Sequence, residues 1–154
     1  MPIAEPWNSV FENWLRSDLM IRSGVTHDAI SAFESKYSVV LPIDVREYFL
    51  LSDGTGDEMD SYLNRFWPLA DLVPVREAWN SANVPFSDNL PANDYFIFAD
   101  HCISCWDYAL KLTDDPMQDG PVIRITGHDT AGEQMASSFR GFMTEYAVNP
   151  ENII

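Results

Sequence analysis

Residues 50–60, LLSDGTGDEMD, hold four carboxylates and two glycines within eleven positions. Such a stretch could ligate calcium, cradle a phosphate, or end a helix. An EF-hand loop opening at Asp53 needs oxygen ligands at alternate positions, glycine at the sixth and glutamate at the twelfth. Here the third, sixth and twelfth positions are Thr55, Glu58 and Asn64, so the sharp turn and the bidentate ligand are both missing. A phosphate loop needs a glycine-rich run closing on Lys-Ser/Thr and a net positive cradle. Asp53, Asp57, Glu58 and Asp60 would repel the anion, and no lysine follows. The remaining reading puts Gly54 in the left-handed conformation that stops a helix, with the acids after it facing solvent.

A second candidate is HCISCW, residues 101–106. A Cys-x-x-Cys dithiol is activated when it opens a helix, because the helix N-terminus lowers the thiol pKa. Cys102 and Cys105 fall instead between two strand candidates. A zinc site built on His101, Cys102 and Cys105 would need a fourth ligand from His27 or His128, and the adjacent pair His101–Cys102 would strain to share one tetrahedral ion. In GHDTAGE, His128 and Asp129 stand without a nucleophile signature: the chain has no Gly-x-Ser-x-Gly elbow and no cysteine-protease motif. No catalytic residue, metal site or cofactor is expected.

The elements that position these groups can be traced by period. PWNSVFENWLRSDLMIRSG reads as a helix with Trp7, Val10, Phe11, Trp14 and Leu15 on one stripe and Gly24 as its stop. THDAISAFESKY is a second helix, with Thr26 as N-cap, Val25 and Ile30 at hydrophobic-staple spacing, and a face formed by Ala29, Ile30, Phe33 and Tyr37. LPIDVREYFLLSDG is a third, opened by Pro42 and closed before Gly54. RFWPLADLVPV is a proline-interrupted apolar run, REAWNSAN a helical turn, and VPFSDNLPAND a surface loop. DYFIFAD, CWDYALKL and PVIRIT are three successive strands with short connections, which implies an antiparallel meander. SSFRGFMTEY closes the chain as a helix capped by Ser137 or Ser138, its Phe139, Phe142, Met143 and Tyr146 facing the core. Helices flanking a run of strands make the fold class α+β, one domain over residues 1–154.

The bulk properties agree with that reading. Hydrophobic residues make up 46% of the chain and aromatics 13%, enough apolar surface to offset the ordering entropy. The net charge is −15, spread as −7 over residues 1–77 and −8 over residues 78–154. A field of that sign repels nucleic acid and anionic membrane and steers basic partners inward. The first residues lack a basic segment followed by an apolar one, and nowhere do eighteen apolar residues run together. A cytoplasmic protein is expected, whose two cysteines are too few for a secreted disulfide framework.

The ordered set of these segments resembles the SUKH superfamily, whose founding members are fungal cell-wall-synthesis regulators of the Smi/Knr type. The resemblance begins with ISAFESKYSVVLPIDVREYFLLSDGTG and continues through RFWPLADL, DYFIFAD, YALKL, GPVIRI and ASSFRGFMTEY, from about Ile30 to Tyr146. Glu34, Leu41, Pro42, Gly54, Trp67, Phe98, Tyr108 and Phe139 match its pattern, most of them as structural positions. The cysteines of DHCISC depart from it where turn residues belong. The resemblance implies an α+β fold without a catalytic centre, widely used in bacteria as an immunity protein that binds and neutralises a polymorphic toxin, often a nuclease. It implies equally a regulatory or scaffold module acting on an endogenous protein. A metal or redox protein centred on His101, Cys102 and Cys105 is the remote alternative. Partner contacts are expected at Asp53, Asp57, Glu58 and Asp60, and at Asp114, Asp115 and Asp119 of TDDPMQDG, with exposed aromatics as anchors and a basic protein, such as a toxin domain, as the occupant.

Overall fold

In the computed structural model, which describes residues 2–81, 94–117, 120–126 and 132–154, the first helix α1 spans Trp7–Arg16. It ends well before Gly24. Asp18 takes φ 61°, and the amides of Asp18 and Leu19 return to the carbonyls of Leu15 and Trp14, a Schellman closure without glycine. Leu15 falls off the buried stripe and points to solvent, while Trp7, Val10, Phe11 and Trp14 are buried. Gly24 serves a different need: a Cβ there would collide with the Leu50 carbonyl oxygen.

Helix α2, His27–Tyr37, starts as its sequence specifies, with Thr26 Oγ1 accepting from the Ala29 amide at 3.1 Å. Ile30 and Phe33 are buried, whereas Ala29 is exposed. Helix α3, Ile43–Leu51, has Pro42 as its N-cap, one position outside the first turn. It stops at Ser52, which is extended at φ −158°, so Gly54 is not its left-handed terminator. Gly54 does take φ 71°, in the following turn, where an added Cβ would meet the carbonyl oxygens of Phe66 and Trp67 at 2.5 and 2.8 Å.

Strands β1 (Asn64–Phe66) and β2 (Val73–Pro74) line the same edge of β3 (Tyr95–His101), joined by a 3-10 turn at Leu69–Asp71. Helix α4, Val75–Ser81, follows β2. The antiparallel order then runs β3, β4 (Trp106–Lys111), β5 (Val122–Ile125) and β6 (Glu133–Ala136). The expected meander is present and extends to β6, whose polar, partly exposed sequence carries no alternation to betray it. The loop VPFSDNLPAND falls almost wholly outside the described residues.

Helix α5, Phe139–Val148, is capped by Ser138, whose Oγ accepts from the Gly141 amide at 3.0 Å. With α1, α2 and α3 it covers one face of the sheet, burying Phe139, Phe142, Met143 and Tyr146 against Trp7, Trp14, Tyr48, Phe98 and Tyr108. Asn13, buried in α1, donates to the α5 carbonyls of Tyr146 and Ala147. The other sheet face carries a smaller cluster of Val75, Trp79, Tyr95, Ile97, Ala109, Ile123 and Ile125. A register shift between Ile97 and Ala99 turns both Phe98 and Ala99 to the helical side. Asp100 then lies directly opposite Asp107 on β4. The architecture is α+β, and among the described residues no helix is long and apolar enough to cross a membrane.

Candidate protein-binding surface

The segment between α3 and β1 folds its carboxylates in two directions. Asp53 is half-buried: Oδ1 accepts from the Leu69 amide at 2.8 Å and Oδ2 lies 3.9 Å from Arg22. Burial pushes its carboxyl above the usual range, against the Leu69 N–H and Arg22, which pull it down. Asp60 is only 3% exposed. It accepts from the amides of Tyr62 and Asn64 at 2.9 Å and from the Tyr146 hydroxyl at 2.6 Å. The expectation that Asp60 faces a partner is therefore corrected: its oxygens are consumed in tying this loop to α5, and Asp53 is largely spent on the Leu69 turn.

Asp57 and Glu58 do face solvent, the Asp57 side chain fully, at 3.6 Å from Arg65. Thr55 holds them outward by donating to the Glu58 carbonyl at 2.8 Å while accepting from the Phe66 amide. The loop is fastened on both flanks. The Ser61 amide donates to Ser17 Oγ at the end of α1, and the Cys102 amide donates to the Leu63 carbonyl at 2.8 Å.

The turn from β3 to β4 completes this end of the molecule. Cys102, Ile103 and Ser104 all have positive φ, 52°, 54° and 60°. Three consecutive left-handed residues without a glycine are uncommon, and a β-branched one among them is an outlier. Asp100 braces the turn: Oδ1 accepts from the Ser104 amide, and Oδ2 from Arg65 and from Trp67 Nε1 at 2.7 Å. Between this turn and the acidic loop lies a cleft of about 290 Å³ lined by Asp57, Met59, Arg65, Asp100, Ile103 and Ser104. Behind it, Asp107 is buried, its Oδ1 without a hydrogen-bond partner among the described residues, and burial pushes its carboxyl up to about 6.

The Cys105 thiol is not activated. Both are free thiols, and Cys105 Sγ donates to the Cys102 carbonyl at 3.0 Å. The neighbouring Cys102 side chain pushes the Cys105 thiol up, away from the thiolate a nucleophile requires. His101 stacks on Trp106 at 4.3 Å with Nδ1 3.0 Å from Asn64 Oδ1, and burial lowers its pKa. Among the described residues no three His, Cys, Asp or Glu side chains are placed to share a metal ion. His128 and Asp129 lie outside the described residues.

Asp114 and Asp115 are exposed beyond the other end of β4, roughly 20 Å from the Cys102–Cys105 turn at strand spacing. They form no common patch with Asp57 and Glu58, and Asp119 is outside the described residues. Sequence reasoning missed Leu63 and Ile103, both exposed and both left-handed at this end. The one signal for Ile103 was the unusual turn composition of DHCISC.

Compared with known families, residues 24–145 match the model of the SMI1 / KNR4 family (SUKH-1). The chain belongs to that family. A comparison with curated proteins finds no match. The residues that carry the resemblance have structural work in this chain. Glu34 Oε2 accepts from the Leu41 amide at 2.7 Å and from Arg46 at 3.0 Å, locking α2 to the start of α3 just before Pro42. Gly54 lets its turn approach β1, Trp67 anchors Asp100, and Phe98 and Phe139 pack at 5.3 Å. Tyr108 donates to the Ile153 carbonyl and accepts from Trp106 Nε1. In this SMI1 / KNR4 chain, these side chains thus maintain the scaffold, and Asp57, Glu58 and Ile103 are not among them.

Proposed function

We propose that this chain is a non-catalytic binding domain for a basic protein, acting as an immunity protein that neutralises a bacterial toxin, often a nuclease. The observation that carries the reading is the pair of outward acids Asp57 and Glu58 on an SMI1 / KNR4 domain of net charge −15. Opposite charge on a partner raises the encounter rate and excludes anionic competitors. A toxin that grips nucleic acid carries such a basic face.

The test measures association with the protein encoded by the adjacent reading frame, at low and physiological salt. Replacing Asp57 with Asn and Glu58 with Gln lowers the on-rate at least about threefold at low salt and less at high salt. An on-rate indifferent to both the substitutions and the salt sinks the assignment. Family membership also supports a regulatory or scaffold role on an endogenous protein; a chain whose gene has no toxin frame beside it favours that second reading.

A further inference from the structure

We infer that Ile103 is the apolar anchor of this surface, and that the basic partner receives it in an apolar pocket bordered by lysines or arginines. The inference rests on the binding role proposed above and names the residue that holds the complex together once charge has brought it together.

Ile103 is 82% exposed at the tip of the β3–β4 turn. An isolated surface isoleucine needs no explanation. One held in the left-handed region does, because the branched Cβ is least tolerant of that conformation. Strain of this kind persists only where the surroundings over-determine it. Here they do, through the Cys102 amide on Leu63, the Ser104 amide on Asp100, and the Cys105 amide on the His101 carbonyl. Five of the six non-glycine residues with positive φ among those described lie at this end: Asp18, Leu63, Cys102, Ile103 and Ser104. The neighbouring Leu63 is 44% exposed, and Met59 lines the same cleft. A rigidly presented apolar side chain loses little entropy on binding.

The charge around it selects the occupant. Asp18, Asp57 and Glu58 are exposed at this end. Its arginines are committed, Arg16 to Glu12, Arg22 to Asp53, and Arg65 to Asp57 and Asp100. An apolar tip ringed by acid repels a second copy of itself and an anionic lipid surface. It complements a pocket edged with basic side chains.

The experiment uses the intact chain and, as probe, the immobilised protein encoded by the adjacent reading frame. Ile103→Asn removes the anchor and places at φ 54° a residue that tolerates it. The off-rate rises about 30-fold, the loss typical of a hot spot, with the on-rate within about twofold, while the melting temperature of the free chain stays level or rises. Ile43→Ser, at a residue 69% exposed on the start of α3, leaves the off-rate unchanged. If the wild type binds the probe but Ile103→Asn dissociates no faster, or Ile43→Ser dissociates as fast as Ile103→Asn, the anchor is wrong and the binding role stands. If the wild type ignores the probe, both fall. Self-association abolished by Ile103→Asn assigns the tip to a second copy and overturns the partner named here.

Discussion

Asp57 and Asp60 are three positions apart, and the fold gives them opposite tasks. Asp60 sits behind the loop with four donors from Tyr62, Asn64 and Tyr146, so truncating it leaves buried N–H and O–H groups without an acceptor. Asp60→Ala costs about 2–3 kcal/mol, whereas Asp57→Asn, on a fully exposed side chain, leaves the denaturation midpoint where it was. Urea denaturation with unchanged slope separates the two, and equal effects would refute the division. Nothing local to LLSDGTGDEMD could have shown it, because the decisive hydroxyl belongs to Tyr146, brought in by packing α5 against the sheet. Asp107 offers a residue-scale test by pH. Burial raises its carboxyl from 3.8 to about 6; contacts from Ser104 and Trp79 pull it back, Asp100 adds to the rise and Arg65 opposes it. Between those values the folded chain holds a proton that the unfolded chain has released, so stability falls as pH rises through the window. Asp107→Asn removes that slope and is more stable than the parent at pH 7 by about 2–3 kcal/mol. Identical pH profiles for the two proteins would show that the carboxyl is ordinarily ionised.

At the scale of elements, what could be read from the sequence was whatever carried its signal within one segment. Thr26 and Ser138 cap their helices by their own hydroxyls, and the strand cores YFIFAD, WDYALK and VIRI are dense enough to declare themselves. The failures share a cause in context. Gly24 looks like a stop because glycine often is one, yet α1 closes on Asp18 and the glycine answers to Leu50 on α3. Strand β1 is three residues long, and β6 is polar because one edge of the sheet is partly exposed. The acidic loop was legible as a surface only at Asp57 and Glu58, and the left-handed turn beside it depends on the Leu63 carbonyl from another segment and on Asp100, which Arg65 and Trp67 hold in place. Glu34 tests how far one side chain can organise an element boundary. Its carboxylate is the link between α2 and the first turn of α3, accepting from both Leu41 and Arg46. Glu34→Ala leaves a half-buried amide and a guanidinium without that partner and costs about 1.5–3 kcal/mol. Amide exchange at Leu41 speeds up with it. Protection at Leu41 surviving the substitution would mean that Pro42 and the packing of Leu41 set the boundary unaided.

For the whole molecule, one quantity acts on folding and on binding with opposite sign. The chain has 24 acidic and 9 basic residues, and at least six of the nine bases are already in ion pairs. The acidic excess therefore repels itself across the compact state. Added salt shortens the screening length from about 30 Å at 0.01 M to about 10 Å at 0.1 M, which weakens that repulsion more than it weakens close pairs such as Arg140–Glu47 at 2.7 Å and Arg65–Asp100 at 2.9 Å. The aromatic core of Trp7, Trp14, Tyr48, Phe139 and Tyr146 contributes through burial, which screening does not touch. Raising sodium chloride from about 0.01 M to 0.3 M thus raises the melting temperature of the free chain by about 2–4 °C, the shift that roughly 1 kcal/mol produces in a domain of this size. Over the same range association with the basic partner proposed above slows, because the field that steers it is the field being screened. Scanning calorimetry and stopped-flow association on one preparation check both signs together. A melting temperature that falls with salt would mean that the internal ion pairs outweigh the self-repulsion, and the surplus charge could then no longer be counted as a cost to folding that is offset at the binding surface.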